Sequence, residues 1–418
     1  MSAVAHYEFF LLLLVAILVL ELLARRLRLP PAAAFILGGI ALALLPGVPD
    51  VRIDPDLVLV VFLPPLLMSG AYFTVWREFR QNLSGILLLA VGATIFTTFV
   101  VGVTVHWLVP GLPWAVCFAL GAIVSPPDAV AADAVLERLS LPGRITALLQ
   151  GESLLNDAAG LVLFRFAVAA ALTGTFSVTT ALSSFCIVSL GGIVIGLVTG
   201  KCGLFVIRRL QDSDLAITAT LLLAGLSYIG ADRLHVSGVL ATVTTGLMLG
   251  WHQHSDFTAG TRLRAQAFWK VLVFLLQSVL FILIGLSLRG VLARLENRQD
   301  TVDSLLLPAI AIVVVVIVSR FVWLFGSDAV RRLVRLLRGP SGPEPSLVVA
   351  TIMSWAGMRG VVTLAAALSL PDDMAGRDLV LTCAFVVILV TVLLHGTMLG
   401  PLIRLLRISG ANELEVLQ

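Results

Sequence analysis

The stretch GESLLNDA at residues 151–158 decides the fold, because it places two carboxylic acids, an amide and a hydroxyl inside an apolar run from 143 to 172. A run of that length can cross a bilayer as a helix, which needs about 20 mainly apolar residues. An ionisable side chain at mid-membrane costs at least about 2.5–3.5 kcal/mol and usually has a functional reason. The stretch therefore predicts a membrane helix that carries a buried polar site.

The composition of the whole chain favours a protein that uses lipid as its solvent. Of the 418 residues, 59% are hydrophobic and only 13% are charged, about half the charged share of a soluble protein. The formal charge of +3 is too small to indicate a nucleic-acid partner. The four cysteines have no paired spacing and the six histidines form no zinc motif, so neither a disulfide framework nor a zinc site is expected.

Apolar runs of membrane-spanning length recur along the chain, and strand-like alternation of period two is absent from the sequence. We therefore predict an all-α membrane protein with about thirteen transmembrane helices. The predicted spans are 9–24, 30–45, 56–74, 84–108, 113–136, 143–172, 178–200, 214–231, 235–251, 268–288, 305–327, 346–370 and 378–402.

The basic residues predict the orientation of these spans. The first apolar run has no basic segment before it and is followed by RRLR at 25–28, the reverse of a cleavable signal peptide. Most of the 28 Lys and Arg fall in alternate loops that begin with this segment. Because positive charge stays cytoplasmic, we expect the N-terminus outside and the C-terminus in the cytoplasm.

An odd number of spans suits two six-helix units joined by one extra helix, and inverted repeats are a common way to build a transporter. The first repeat is predicted at 1–172 and the second at 214–403. A linker helix and cytoplasmic loop occupy 173–213, and a short cytoplasmic tail follows at 404–418. The repeat predicts that the fifth span corresponds to the twelfth.

Two of these spans contain sequences that break a helix. The fifth carries SPPD at 125–128, in which adjacent prolines remove two backbone donors, and the twelfth carries Gly357 and Gly360 around a buried arginine. Broken helices at membrane depth are tolerated only in protein or beside a wet cavity. We expect crossed discontinuous helices in the core, with Asp128 either at the start of its own second half-helix or in an ion site.

The sixth span presents its polar groups on neighbouring helix faces. Glu152 shares a face with Asn156, and Ser153 shares the next face with Asp157, since residues four apart lie above one another. All are oxygen donors, which suit hard cations. A polar network that only joins helices is the alternative.

Two deep arginines, Arg320 and Arg359, supply counter-charge to the three acids Asp128, Glu152 and Asp157. An unpaired buried charge is strongly penalised, so two acids can be neutralised by arginine while one remains. We predict that Glu152 pairs with Arg320 and that Asp157 is the remaining acid. Desolvation disfavours its charged form, so protons would compete with a cation for its oxygens.

Other polar groups in the spans receive structural interpretations. Arg165 is expected to reach the membrane surface, and His395 is expected to pack at the level of the lipid headgroups. Asp133 is a possible gate residue, with a structural role favoured. Pro64 and Pro65 should kink the third span, and Ser69 follows as a back-bonding hydroxyl or weak ligand.

Together these motifs resemble the bacterial Na⁺/H⁺ antiporters of the NhaP/NHE type, a group of monovalent cation:proton antiporters. The resemblance rests on SPPDAVA at 125–131, GESLLNDA at 151–158, WAGMRGVV at 355–362 and FLPPLL at 62–67. It implies a 13-helix homodimer in the plasma (inner) membrane, in which a core domain moves against a dimerisation domain.

The resemblance also implies roles for particular residues. Asp157 matches the ion- and proton-carrying aspartate, and Asn156 stands where electrogenic relatives carry a second aspartate, which implies one-for-one exchange. Ser153 and the backbone near Pro127 match ion ligands. Ser69 departs from the family, because many relatives carry an acid there. In the same way, Glu152 with Arg320 matches a stabilising ion pair, and Asp128 with Arg359 matches the residues at the crossed helices.

The sequence therefore predicts a secondary transporter and not an enzyme, with no cofactor and with transported Na⁺ and H⁺ as its ligands; Li⁺ or K⁺ are alternative cations. A cation-coupled organic anion symporter of the same architecture is the alternative function. An intramembrane hydrolase is disfavoured because no GxGD or GxSxG sequence accompanies the acids, and a channel because one shared carboxylate suits alternating occupancy better than a continuous pore.

Overall fold

The computed structural model describes residues 3–27, 29–45, 58–128, 143–174, 178–210, 212–288, 290, 302–338, 346–371 and 373–406, and all regular structure within these ranges is helical. The helices are α1 (Ala3–Leu27), α2 (Pro31–Leu44), α3 (Val58–Phe73), α4 (Trp76–Gln81), α5 (Leu83–Leu108), α6 (Trp114–Val124), α7 (Gly143–Thr173), α8 (Val178–Ile207), α9 (Ser213–Arg233), α10 (Gly238–Asp256), α11 (Ala259–Leu286), α12 (Val302–Arg338), α13 (Leu347–Trp355), α14 (Val361–Leu368) and α15 (Arg377–Leu405).

Within the described ranges, 7 of these helices are long and apolar enough to cross a membrane, and α2, α3 and α6 are shorter apolar helices. The predicted all-α membrane bundle is confirmed. The count of thirteen crossings and the division into inverted repeats stay predictions.

Short polar side chains start several of the helices. Asp212 accepts hydrogen bonds from the amides of Asp214 and Leu215 at the start of α9. Ser237, Thr258 and Ser346 do the same for α10, α11 and α13. Such caps satisfy the amides that lack a partner in the first turn, and they explain why each helix begins where it does.

The third span is irregular at its prolines, where a kink was predicted. A π-helical turn at Val58–Phe62 changes to α-helix at Leu63, and Pro64 and Pro65 occupy the first turn of the α-helical part. Because proline has no amide hydrogen to donate, both positions interrupt the hydrogen-bond ladder of the helix. The prolines therefore mark a change of helix type within α3.

One packing group combines helices from both halves of the chain. Helix α6 packs against α5 and α7, while α12 packs against α5, α13 and α15, and α14 joins α6 to α15. Their buried side chains form a continuous apolar cluster that includes Val101, Leu120, Ile312 and Val387. The group encloses both interrupted helices.

The remaining helices form a second group, in which α2 packs against α11 and α10 packs against α3, α8 and α9. Glycines allow the closest contacts. A Cβ atom at Gly39 would overlap the Ile282 carbonyl oxygen, and one at Gly285 would overlap that of Ile36. Small residues at such crossings let membrane helices approach backbone to backbone.

The two predicted helix breaks are present where the structure describes them. Helix α6 ends at Val124, and Ser125, Pro126 and Pro127 follow in a non-helical path. The twelfth predicted span is divided into α13 and α14, with residues 356–360 between them. The second half of the fifth span, with Asp133, lies outside the described residues.

Candidate functional site

Glu152 and Arg320 form a bidentate ion pair inside the first packing group. The guanidinium donates to both carboxylate oxygens, at 2.6 Å from Nη1 to Oε1 and 2.9 Å from Nη2 to Oε2, and both residues are buried. Arg320 Nε also donates to the Met353 carbonyl near the end of α13, at 3.0 Å. This pair, which the sequence analysis predicted, therefore ties α7, α12 and α13 together.

The glycine at position 357 makes room for this arginine. A Cβ atom there would overlap the side chain of Arg320. The break after α13 thus brings the Arg320 guanidinium close to backbone outside the regular helix. There it can donate to a carbonyl group as well as to a carboxylate.

Arg359, which is also buried, donates its hydrogen bonds to backbone carbonyls at both breaks. Its guanidinium reaches the oxygens of Val124 at 2.9 Å, Ser125 at 3.2 Å and Gly357. These groups lie at the carboxyl ends of α6 and α13, where the helix dipole favours a cation. Arg359 therefore serves backbone carbonyls, whereas the counting argument from the sequence gave each deep arginine a carboxylate.

Asp128, which follows the first break, forms hydrogen bonds with backbone groups at the second break. Its amide donates to the Met358 carbonyl at 2.6 Å, and its Oδ2 accepts from the Val361 amide at 3.3 Å. A Cβ atom at Gly360 would overlap this carboxylate. Asp128 therefore caps the start of α14. The sequence analysis had offered a cap at the start of the second half of its own span, and that half lies outside the described residues.

Asn156 holds the backbone of the first break in place. Its side-chain amide donates to the Pro127 carbonyl at 2.7 Å. Its own carbonyl oxygen, Oδ1, is buried and has no hydrogen-bond donor among the described residues. An unsatisfied buried acceptor is costly in a native structure and calls for an explanation such as a bound ion.

Asp157 is the neighbouring residue on α7, and it is 8% exposed. Across the described part of the chain, no group donates a hydrogen bond or forms an ion pair to its carboxylate. It lies within electrostatic range of Asp128, and Ser153, half-buried, precedes it by about one helical turn. A carboxylate in this setting is available to a cation or a proton.

The remaining predicted positions lie apart from this cluster. Ser69 is half-buried in α3, and among the described residues no hydrogen bond joins it to the site. Arg165 forms an exposed ion pair with Asp232 at 3.4 Å.

Of two polar residues of α15, the sequence analysis missed Thr391 and misplaced His395. The hydroxyl of Thr391 accepts a hydrogen bond from the Arg359 amide at 3.1 Å. His395, expected at the headgroup level, is instead 1% exposed and packs on Trp355 with ring centroids 5.0 Å apart. Their spacing of four residues inside an apolar run was the signal, because it places both on one helix face.

Buried acids beside helix breaks, in an apolar helical bundle, are typical of a secondary ion transporter. Residues 10–405 match the family model described as sodium/hydrogen exchanger, transmembrane. The chain belongs to this family. It is therefore an integral membrane protein that exchanges monovalent cations for protons, and not an enzyme, and the family requires no cofactor.

Curated relatives agree with this membership. An uncharacterized Na⁺/H⁺ exchanger of Mycobacterium tuberculosis is 35% identical over 97% of this chain and 76% of its own length. The Na⁺/H⁺ antiporter NhaP of Pseudomonas aeruginosa is 34% identical over 87% of this chain and 84% of its own. A sodium, potassium, lithium and rubidium/H⁺ antiporter of Bacillus subtilis is 32% identical, over 86% and 56% respectively.

Solved structures of the sodium proton antiporter MjNhaP1 from Methanocaldococcus jannaschii share the fold. One, at pH 8, superposes with a TM-score of 0.71 at 22% identity and covers 93% of this chain and 96% of its own. The second has a TM-score of 0.76 at 20% identity, over 97% and 98%. The exchanger family disfavours the organic anion symporter considered from the sequence.

Proposed function

We propose that the protein exchanges one Na⁺ for one H⁺ by alternating access, with Li⁺ and K⁺ as alternative cations. The observation that carries the proposal is the contrast on α7 between Glu152, which a guanidinium holds at both oxygens, and Asp157, which has no partner among the described residues. A buried acid without a counter-ion can take either a cation or a proton.

The cation site in this proposal uses oxygen atoms that surround the first break. Asp157 and Ser153 are the principal ligands, with the buried Oδ1 of Asn156 beside them. The Pro127 carbonyl, which already accepts from Asn156, retains a second lone pair. Asp128 acts mainly by holding the break and adds negative potential. Such a set suits a hard cation.

Competition for Asp157 would couple the two ions. The carboxylate binds Na⁺ or H⁺ and never both, and each carries one positive charge, so the cycle is electroneutral. We expect the apparent KM for Na⁺ to rise as the pH on the same side falls, while the maximal rate at saturating Na⁺ is unchanged. A fall in maximal rate with constant KM would contradict direct competition.

The moving part in this proposal is the packing group that contains α5–α7 and α12–α15. This core would move against the second group by an elevator mechanism. The Glu152–Arg320 ion pair and the hydrogen bonds from Arg359 to backbone carbonyls would keep both breaks in the same conformation during the movement. The second group would supply the contacts of a homodimer. The proposed repeats are 1–172 and 214–403, with the linker between them.

The membrane setting is proposed from charge. The distribution of basic residues favours an N-terminus outside and a C-terminus in the cytoplasm, and the curated bacterial relatives support a plasma (inner) membrane.

Purified protein in proteoliposomes tests the proposal. Asp157→Asn should abolish proton flux driven by Na⁺, Li⁺ or K⁺ gradients, because the amide keeps the shape and loses the titratable charge. Asp232→Asn is the control, since it removes an exposed acid that pairs with Arg165 and should leave exchange unchanged. Substantial cation-driven flux in Asp157→Asn would refute the proposal.

A further inference from the structure

A second polar site lies outside the exchange site, at one end of the first packing group. A cavity of about 410 Å³ opens where α5, α7 and α13 begin and α12 ends. Three arginines line it, Arg144 from α7 and Arg331 and Arg335 from α12, together with the carboxylate of Asp328. Its rim therefore gathers cationic side chains from two helices.

Among the described residues at this rim, arginines outnumber acids. Arg331 lies 3.6 Å from Asp328, and Arg144 lies within electrostatic range of both. Glu78 approaches the neighbouring Gly143 from α4, so the five groups still sum to one positive charge. Like charges held near each other are unfavourable unless an anion joins them.

Neutral hydrogen-bonding groups complete the rim. The side chains of Asn82 and Ser346 line the cavity at the starts of α5 and α13, where the positive ends of the helix dipoles favour an anion. Guanidinium groups with such donors are the usual partners of a phosphate group.

The interior of the cavity is apolar. The apolar lining residues lie roughly one to four turns inside the helix ends, and they are Leu88, Leu89, Leu148, Leu324 and Met353. Free phosphate gains nothing from such a surface, whereas the glycerol and upper acyl carbons of a lipid do. The floor at Met353 adjoins the carbonyl that accepts from Arg320.

We propose that this cavity binds the phosphate headgroup of an anionic phospholipid, with the first acyl carbons in its apolar interior. The bound lipid braces the start of α13, the half-helix that leads to the second break. The rim lies at the basic end of the bundle, where anionic lipid is attracted.

The test uses the full chain in detergent, titrated with phosphatidylglycerol, phosphatidylcholine or inorganic phosphate, with thermal stability and native mass spectrometry as readouts. Phosphatidylglycerol should raise the Tm and remain bound. In Arg144→Gln with Arg335→Gln the apparent affinity should fall by about tenfold or more, because two charge-assisted hydrogen bonds are lost. Arg332→Gln is the matched control, since this exposed arginine of α12 does not line the cavity.

Equal stabilisation of the double variant and the wild type would overturn the proposal, and so would an equal Tm shift with inorganic phosphate, which would indicate a free anion as the ligand. Exchange by the double variant in phosphatidylcholine vesicles shows that it is folded. If it fails to fold, Arg335→Gln alone is measured against the same control.

Discussion

Two turns of α7 carry the contrast on which the proposed function rests. Glu152 and Asp157 are 1% and 8% exposed, so both carboxylates are removed from lipid and water to a similar degree. Glu152 receives two hydrogen bonds from Arg320, while Asp157 receives none from the described residues. Burial alone therefore does not distinguish the two acids. What distinguishes them is the guanidinium that reaches Glu152 and does not reach Asp157, and the proposal rests on this difference.

The difference arises from the element that packs against α7 at two levels. The first level is that of Glu152, and the second is that of Asn156 and Asp157. At Glu152 the helix α12 brings Arg320 across. About one turn later, Asn156 meets the broken end of α6 at Pro127. About one turn beyond that, a Cβ atom at Gly160 would overlap Pro126. A helix offers a long cationic side chain, whereas the break offers carbonyl oxygens. The first level is suited to fixing helices and the second to binding a cation.

The largest effect on stability is expected at the first level. Glu152→Gln leaves Arg320 buried without its counter-charge and should lower the free energy of unfolding by about 3–5 kcal/mol. Asp157→Asn is the matched control on the same helix, and it should leave stability unchanged or raise it. Chemical denaturation in detergent compares the two, and equal losses would abolish the distinction between the levels.

Replacing the whole ion pair sharpens the same point. In Glu152→Leu with Arg320→Met the unpaired charge is gone, so most of the stability lost by Glu152→Gln should return. A double variant as unstable as Glu152→Gln would show that removing the unpaired charge restores no stability, which would contradict the role given to that charge.

The second break provides a smaller effect. Gly360→Ala forces a Cβ atom against Asp128 and should cost about 1–3 kcal/mol, with slower exchange because the cap of α14 shifts. Gly225→Ala is the matched control, since a Cβ atom there meets nothing within 4 Å. Thermal melts and proton flux measure both, and an unaltered Gly360→Ala protein would argue against the Asp128 cap.

Asn156→Asp tests the charge balance at the second level. An added acid beside Asp157 should make exchange respond to membrane potential, and it should slow exchange because the bond to Pro127 is lost. Flux is measured in proteoliposomes with an imposed potassium diffusion potential. Wild-type flux that already responds to the potential would contradict one-for-one exchange.

Ser69→Ala should have the smallest effect, since Ser69 belongs to neither level. We expect the apparent affinity for Na⁺ to change by about twofold or less, equivalent to roughly 0.4 kcal/mol. A loss as large as that of a Ser153→Ala variant would make α3 a contributor to the cation site.

Local chemistry made some of the site predictable. The acids of α7 are recognisable because their cost in an apolar run is high, and the breaks because proline and glycine act on their own backbone. The hydrogen-bond partners of Asp128 and the burial of His395 could not be predicted from the sequence. They depend on where α14 and α13 cross α6 and α15, which no local pattern records.

The sequence by itself determined the membrane class, the helical architecture and the positions where polar groups and breaks interrupt it, since hydropathy and backbone restrictions act over a few residues. The tertiary structure decided which partner each charge receives. Arg320 reaches Glu152 across 168 residues of chain, and Arg359 turns to backbone carbonyls instead of an acid. Such pairings follow from the packing of distant helices, because a buried charge takes whichever partner the fold brings within hydrogen-bonding distance.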